Sequence, residues 1–405
     1  MSLINQVLDN QERTIRTIFV SSYIPRRCGI ATFAKDLTSA LNNLNPESLT
    51  EIIAIDGDKS DTYYPWEVKY KVPRDNLDSY YKAAEYVNQS SADVICLQHE
   101  YGLFGGDGGD YIFGFLRNIN KPVVTTLHTI LENPNEIQKF CMSRVADFSE
   151  YMVVMTPAAK ERLERIYKIN PNKVVIIHHG VADEAKANKS KKKTLGWEGK
   201  RVLLVSGLIH KDKGIEQIIK ALPGIVQKFP DTILVIAGQT HPEILRQDGE
   251  RYRNGLIRLS KKLKVKKNVR FVNKYLPLDK LLTLYEACDI YLTTHTNPEQ
   301  MSSGTLAYAL GMGKVCVSTP YAYAKEMLAD KRGMLVDFGD EKQTENVIVN
   351  IFSDPLLETK LSENAYLLGC KMRWPRVAQR YLNLFRVTKK INETNKLETS
   401  QLSNR

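Results

Sequence analysis

Short apolar runs recur along almost the whole chain, each followed by a stretch long enough for a helix. In the first half they are TIFVSS (17–22), EIIAI (51–55), DVICL (93–97), PVVTTL (122–127), YMVVM (151–155) and KVVII (173–177), with helix-length stretches such as Ala31 to Leu44 and Ser79 to Val87 between them. These runs lack apolar/polar alternation, so they predict strands covered on both faces, as in a parallel sheet layered between helices. The first half is therefore read as a doubly wound α/β domain. The pattern stops near Val181, gives way to ADEAKANKSKKKTLGWEGK, and restarts with RVLLVSG (201–207), TILVIAG (232–238), VRFV (269–272), DIYLTT (289–294), KVCVST (314–319) and GMLV (333–336). The polar, lysine-rich interruption has the composition of a linker. A second doubly wound domain follows, in keeping with 405 residues being too many for one core.

The expected division is an N-terminal domain over 1–182, a linker over 183–200 and a C-terminal domain over 201–370. A last helix over 371–388 carries Trp374, Val377, Ala378, Tyr381, Leu382 and Phe385 on one stripe, so it must pack against something. Residues 389–405 are polar and unpatterned and are expected to be a disordered tail.

The chain carries 57 Lys/Arg against 46 Asp/Glu, a surplus of +11, and that surplus is concentrated. Residues 184–201 hold seven cations against two Glu, and residues 246–274 hold eleven against two acids. Neither segment interleaves its charge with aromatics or carries a reading motif, so nucleic acid is not an expected partner. A solvated face and an anionic membrane surface both stay open for them. No apolar run approaches the ~18 residues of a membrane span, and the start MSLINQVLDNQERTIR lacks the apolar stretch of a signal peptide. A cytoplasmic protein is expected, with peripheral contact at the inner face of the membrane as the open alternative. Cys28, Cys96, Cys141, Cys288, Cys316 and Cys370 are scattered without metal-ligand spacing and read as reduced packing residues. With no Asp-x-Asp arrangement at a strand end, no metal is expected.

In open parallel sheets, ligands bind at the carboxyl ends of the strands, where glycine turns lead into helices whose N-termini attract anions. Three such turns occur. In SSYIPRRCGIATFAKDL, Gly29 stands where strand must give way to helix; taken alone it reads as a structural turn in preference to a phosphate site, and it is not the G-x-G-x-x-G fingerprint of dinucleotide binding. In SGLIHKDKGIEQIIKAL, Lys211 and Lys213 lie just ahead of a helix starting near Gly214, where ammonium groups and helix dipole together suit a diphosphate. In HTNPEQMSSGTLAYALGMGKVCVSTP, the small residues Ser302, Ser303, Gly304 and Thr305 open a helix and let a ligand come close. The first half adds His99 and Glu100 after DVICLQ, and His128 after PVVTTL. The loop YGLFGGDGGDY, with Gly105 and Gly106, is either a mobile lid or a close backbone approach to a ligand.

In these pieces, from about Arg16 to Phe385, the chain resembles the retaining glycosyltransferases of family 4, the glycosyl transferases group 1. TLHT around His128, VIIHHGV (175–181), KGIEQIIKAL followed by LVIAG, and SSGTLAYALGMGKVCVST carry the resemblance together with the Gly29 turn. It implies a GT-B fold, two Rossmann-like doubly wound domains facing a central cleft. It further implies that Lys213 holds the donor diphosphate and that His128 meets the donor sugar, the two catalytic assignments. Gly29, Lys211, Ser303, Gly304 and Thr305 would contact the donor, Phe271 to Pro277 would border its base, and His99, Glu100, Gly105 and Gly106 would face the acceptor. Two departures mark a divergent subgroup. Leu208 stands where the family has an arginine, and the Glu-x7-Glu carboxylates fall on Gln300 and Tyr308, which are then the donor contacts at those places. His210 and Lys211 are available to replace some of the lost charge.

The function so implied is transfer of a hexose from a nucleotide diphosphate sugar, GDP-mannose or a UDP-hexose, to a saccharide or lipid-linked acceptor with retention of configuration. No cofactor is implied beyond the nucleotide sugar, which is a substrate. Two other classes stay open: a nucleotide-sugar 2-epimerase on the same fold, which needs carboxylates that the sequence does not obviously offer, and a catalytically silent binder of sugar nucleotides.

Overall fold

The computed structural model describes residues 14–57, 63–183 and 191–403. The chain forms two compact units, one comprising Met1–His178 with Trp374–Arg405 and the other His179–Arg373.

The first unit holds seven strands: β1 (Thr17–Ser21), β2 (Glu51–Asp56), β3 (Val68–Pro73), β4 (Val94–His99), β5 (Val123–Leu127), β6 (Tyr151–Val154) and β7 (Val174–Ile176). They form one parallel sheet in the order β3-β2-β1-β4-β5-β6-β7. β1 and β4 are buried along their whole length, which explains why their sequences are apolar without alternation. The edge strand β3 escaped the sequence reading because only one of its residues is fully buried and two lysines lie along it. The order reverses between β1 and β4, and crevices at such reversals are where ligands of open sheets bind.

The terminal helix, Trp374–Ser403, belongs to this first unit. Trp374, Val377, Ala378, Tyr381, Leu382 and Phe385 are all buried, so the stripe marks its packing face. Phe385 meets Phe19 of β1 edge-on at 6.3 Å, and the hydroxyls of Tyr381 and Thr126 lie 2.9 Å apart. The tail expected to be disordered from residue 389 is instead helical to Ser403. Lys389 pairs with Asp93 at 2.9 Å, which ties the helix to the sheet beyond its apolar stripe.

The second unit holds β8 (Arg201–Ser206), β9 (Thr232–Ala237), β10 (Val269–Val272), β11 (Ile290–Thr293), β12 (Val315–Ser318) and β13 (Met334–Leu335). They too form one parallel sheet, ordered β10-β9-β8-β11-β12-β13, which reverses between β8 and β11. The helix Ile215–Lys228 buries Ile215, Ile218, Ile219, Leu222 and Ile225 in the same apolar core as Leu203, Leu234 and Leu292 of the strands. Residues 184–190 of the expected linker lie outside the described residues, but the part that follows is fastened to this unit. Lys192 contacts Asp289 at 2.6 Å and Lys200 contacts Asp231 at 2.7 Å.

Of the basic segment 246–274, Arg251, Arg258, Lys261 and Lys262 are exposed, whereas Arg253 is buried against Glu250 and the Gly238 carbonyl. Among the described residues, no helix is long and apolar enough to cross a membrane.

Candidate functional site

In the first unit, Gly29 opens the helix Gly29–Leu44 directly after the β1 loop, with Cys28 as N-cap accepting from the Ala31 amide. A Cβ at Gly29 would meet nothing within 4 Å, so protein packing does not demand a glycine there. The first amides of such a helix have no intrahelical acceptor and offer themselves to an anion.

The loops after β4 and β5 are tied together: the His128 amide donates to the His99 carbonyl at 3.1 Å, and the Thr129 hydroxyl donates to the Glu100 carboxylate at 2.5 Å. The Glu100 carboxyl is raised above its ordinary pKa by burial, against the opposing pull of Thr129 and the Tyr101 amide. His128 is held by Gln98 at 2.9 Å through Nε2 and by Phe33, whose ring stands edge-on at 5.1 Å. Gln98, Phe33 and Thr129 therefore set the geometry of the predicted residues, although none was singled out in the sequence.

Two sequence expectations change here. His99, expected to face an acceptor, is a core residue: it is 1% exposed, its ring lies between Tyr101 and Phe104, and burial pushes its pKa down to about 4. Gly105 and Gly106, expected to approach an acceptor, make their close approach to the protein itself. A Cβ at Gly105 would lie 2.3 Å from the Arg74 carbonyl oxygen, and one at Gly106 would lie 1.9 Å from the Asp110 carboxylate.

In the second unit the predicted donor residues converge. Lys213 is buried, and its ammonium donates to the Ser206 carbonyl at 3.3 Å. A Cβ at Gly207 would lie 3.2 Å from Lys213 Nζ and 3.3 Å from Thr305 Cγ2, so the turn after β8 and the start of the helix Gly304–Gly311 share one spot. Ser303 caps that helix, accepting from the Leu306 amide at 3.3 Å. Burial pushes the Lys213 pKa down to about 8, the mark of an ammonium lacking an adequate counter-charge.

Lys211 is exposed on the preceding turn, and Gln300 folds back to donate to the Ser302 carbonyl at 2.9 Å. Tyr308 is buried with its ring 6.3 Å from that of His179, whose Nε2 would be 3.0 Å from a Cβ at Gly304. Position 308 thus faces an imidazole within its own unit.

Gly214 adopts φ +56°, and a Cβ there would lie 2.2 Å from the Thr294 carbonyl oxygen. The Thr294 hydroxyl in turn donates to the carbonyls of Lys213 and Gly214 at 3.1 and 2.9 Å, so this glycine lets the Lys213 turn dock on the end of β11. Gly214→Ala is expected to cost at least about 1–3 kcal/mol and to displace Lys213. A thermal melt alongside nucleotide-sugar binding checks this: both should fall, and an unchanged melt would show that the turn relaxes freely.

Sequence reasoning missed two histidines beside this turn, His241 and His295. The signal was present, since each stands just beyond a strand, the pattern that singled out His99 and His128. The His210 ring lies 6.1 Å from that of His241 and 6.3 Å from that of His295.

With the geometry in place, comparison with known proteins identifies both halves. Residues 29–185 match the family described as Glycosyltransferase Family 4, and residues 186–368 match Glycosyl transferases group 1. Among curated relatives, a D-inositol 3-phosphate glycosyltransferase of Corynebacterium diphtheriae is 22% identical over 291 residues, which is 66% of this chain and 65% of that protein. An uncharacterized glycosyltransferase of Methanocaldococcus jannaschii is 23% identical over 58% of each chain. The chain thus spans less than two thirds of the length of these relatives.

Among solved structures, a sucrose-phosphate synthase from Thermosynechococcus elongatus superposes with TM-score 0.75 at 15% identity, covering 92% of this chain and 98% of that one. Anabaena HepE in complex with UDP and glucose gives 0.72 at 16% identity, covering 91% and 99%. These likenesses establish the fold, two Rossmann-like parallel-sheet domains of the GT-B kind.

Proposed function

We propose that this chain, which belongs to the glycosyltransferases through its Family 4 and group 1 domains, moves a hexose from a nucleotide diphosphate sugar to a hydroxyl of a saccharide or lipid-linked acceptor, with retention of configuration. The observation that carries this reading is the convergence of a buried, under-neutralised Lys213 with Gly207 and Thr305 at the point where the second sheet reverses.

Breaking the bond between the sugar carbon and the diphosphate oxygen loads negative charge on the leaving group. Lys213 and the amides at the start of the helix Gly304–Gly311 stabilise that charge, a type of assistance worth about 10²–10³ in rate for each well-placed donor. The acceptor oxygen bonds to the sugar carbon on the face the diphosphate leaves, and its proton passes to the departing phosphate oxygen. This same-face route needs no carboxylate nucleophile, which suits Gln300 and Tyr308 at the two glutamate positions.

Glu100, held by Thr129, orients the acceptor hydroxyl. A UDP-hexose is the first donor to test, since a structural neighbour is described in complex with UDP and glucose; GDP-mannose is the second. The exposed cations Arg251, Arg258, Lys261 and Lys262 would bring the enzyme to an anionic membrane bearing a lipid-linked acceptor.

The test is a panel of UDP, GDP and ADP sugars assayed for binding, hydrolysis and transfer. One donor should bind and turn over. Binding without hydrolysis or transfer to any acceptor tried would replace this reading with a silent binder, and C2 inversion of the bound sugar with an epimerase.

A further inference from the structure

The loops after the three central strands of the second sheet each bring one histidine to the same place. His210 follows β8, His241 follows β9 and His295 follows β11, and these strands are neighbours in the sheet. The loops are fastened to one another by backbone hydrogen bonds. Ile209 donates to Gln239 at 2.8 Å, His241 donates to Ile209 at 3.0 Å, and Thr296 donates to Asp212 at 2.9 Å. The imidazoles are therefore held on rigid elements.

His241 caps the helix Pro242–Asp248, its Nδ1 accepting from the Glu243 amide at 3.2 Å, and His210 Nδ1 lies 3.5 Å from Asp212, but His295 is not accounted for in this way. His295 is 4% exposed, yet its Nδ1 has no hydrogen-bond partner among the described residues. A buried polar atom without a partner costs about 1–3 kcal/mol, a cost that an anion accepting from the ring would offset; His99 Nδ1 is orphaned in the same way, but its ring has only Tyr101 and Phe104 beside it, whereas His295 meets another imidazole. The arginine expected immediately after Gly207 is absent, and Leu208 cannot hold an anion. His210 and His295 lie close enough to Lys213 to feel its charge, and His241 adjoins His210.

We propose that His210, His241 and His295 form with Lys213 one phosphate-binding cluster, which takes up a proton when the diphosphate of a nucleotide sugar enters. The inference rests on the proposed function, because it assigns the donor diphosphate to this spot. In the free protein the cluster is held neutral at its rings: burial and then the Lys213 charge keep His210 at about 4 and His295 at about 2, and burial lowers His241. A diphosphate reverses the balance by supplying two negative charges to the desolvated Lys213 ammonium and the rings around it.

The acids around the rings, Asp212 beside His210 and Glu243 beside His241, pull the ring pKa values upward but do not outweigh burial. Asp212 approaches His210 at 3.5 Å but is mostly exposed, and Lys211 is exposed beside it. Glu243, which follows His241, is engaged by Arg246 and Gln247. Tyr321, whose ring lies 5.2 Å from that of His295, is held protonated by burial at about 12.

Linkage is reciprocal, so a ligand that raises a histidine pKa must bind more tightly as pH falls. UDP-glucose and GDP-mannose suit the test, because their diphosphates are esterified at both ends and hold a constant charge near neutrality. Calorimetric titration in buffers of differing ionisation enthalpy should show uptake of about one proton per sugar nucleotide bound near pH 6.5, and affinity rising about tenfold from pH 7.5 to pH 6. Lys213 titrates above that window and does not produce the slope.

His210→Gln, at a partly exposed loop position, should flatten the slope and abolish the uptake while leaving the fold intact. His295→Asn is the second variant, and the wild-type uptake itself needs no variant at all. Binding with neither proton uptake nor slope would overturn the cluster and leave the transferase reading standing. Failure of every donor in the panel to bind at any pH would overturn both.

Discussion

Lys213→Met should abolish sugar transfer and, at neutral pH, raise the melting temperature of the second unit. The two effects have one cause. The ammonium is buried, and its pKa falls from 10.5 to about 8 because desolvation opposes the charge. Between those values the unfolded chain binds more protons than the folded one, so the wild-type protein gains stability as pH rises through that window. At pH 7 both states are charged and the burial is a cost on the order of 3 kcal/mol. Methionine fills similar volume without that cost, and replacing a buried charge by an apolar residue is often stabilising.

A gain of even 1 kcal/mol would move the transition by roughly 2–4 °C in a unit of this size. The advantage over wild type should shrink as pH is raised from 7 toward 10, because the wild-type lysine then discharges. Calorimetry over that pH range, with a transfer assay beside it, checks both halves. A lysine retained for packing would behave oppositely, with stability and activity falling together. Near wild-type transfer by the variant would remove Lys213 from the site.

The sheet strands were largely legible because a doubly covered strand leaves a plain signature, an apolar run with no alternation. Edge strand β3 left none, since solvent touches most of it. The turns at the strand ends were legible for a similar local reason: a strand end, a glycine and a helix start are consecutive in sequence, so turn logic places Lys213, Ser303, Gly304 and Thr305 there, while their contact with a donor is what the family resemblance implies.

What sequence could not tell is which polar group at a strand end faces a ligand and which faces the core. His99 and His295 have the same local context, yet His99 is enclosed by Tyr101 and Phe104 while His295 meets His210 near the Lys213 turn. Gly105 read as a ligand approach because its steric partner, the Arg74 carbonyl, is thirty-one positions away. Arg253 was counted with the surface charge because its burial depends on Gly238, from another loop. The errors at Gly105 and Arg253 concern contacts between separate loops, and that at His99 concerns the way its own loop folds back over the ring, while the elements themselves were set by neighbours.

That distinction has its largest consequence at the terminal helix. Phe385→Ala should lower the unfolding transition of the first unit by about 3–5 kcal/mol and leave that of the second unit where it is. The helix follows the second unit in the chain, but its apolar stripe is spent on the first sheet: Phe385 is fully buried against Phe19, and Tyr381 reaches Thr126 of β5. Removing the ring leaves a cavity against Phe19 of β1, a strand inside the sheet with partners on both sides. A melt with probes in each unit distinguishes the cases. Equal loss in both transitions would mean that the units unfold as one, and no loss in the first would mean that the helix is dispensable to the sheet it covers. A chain ending at Arg373 is the stronger version: it retains every residue between β1 and β13 yet uncovers Phe19 and Thr126, and its first unit should fail to show a cooperative transition.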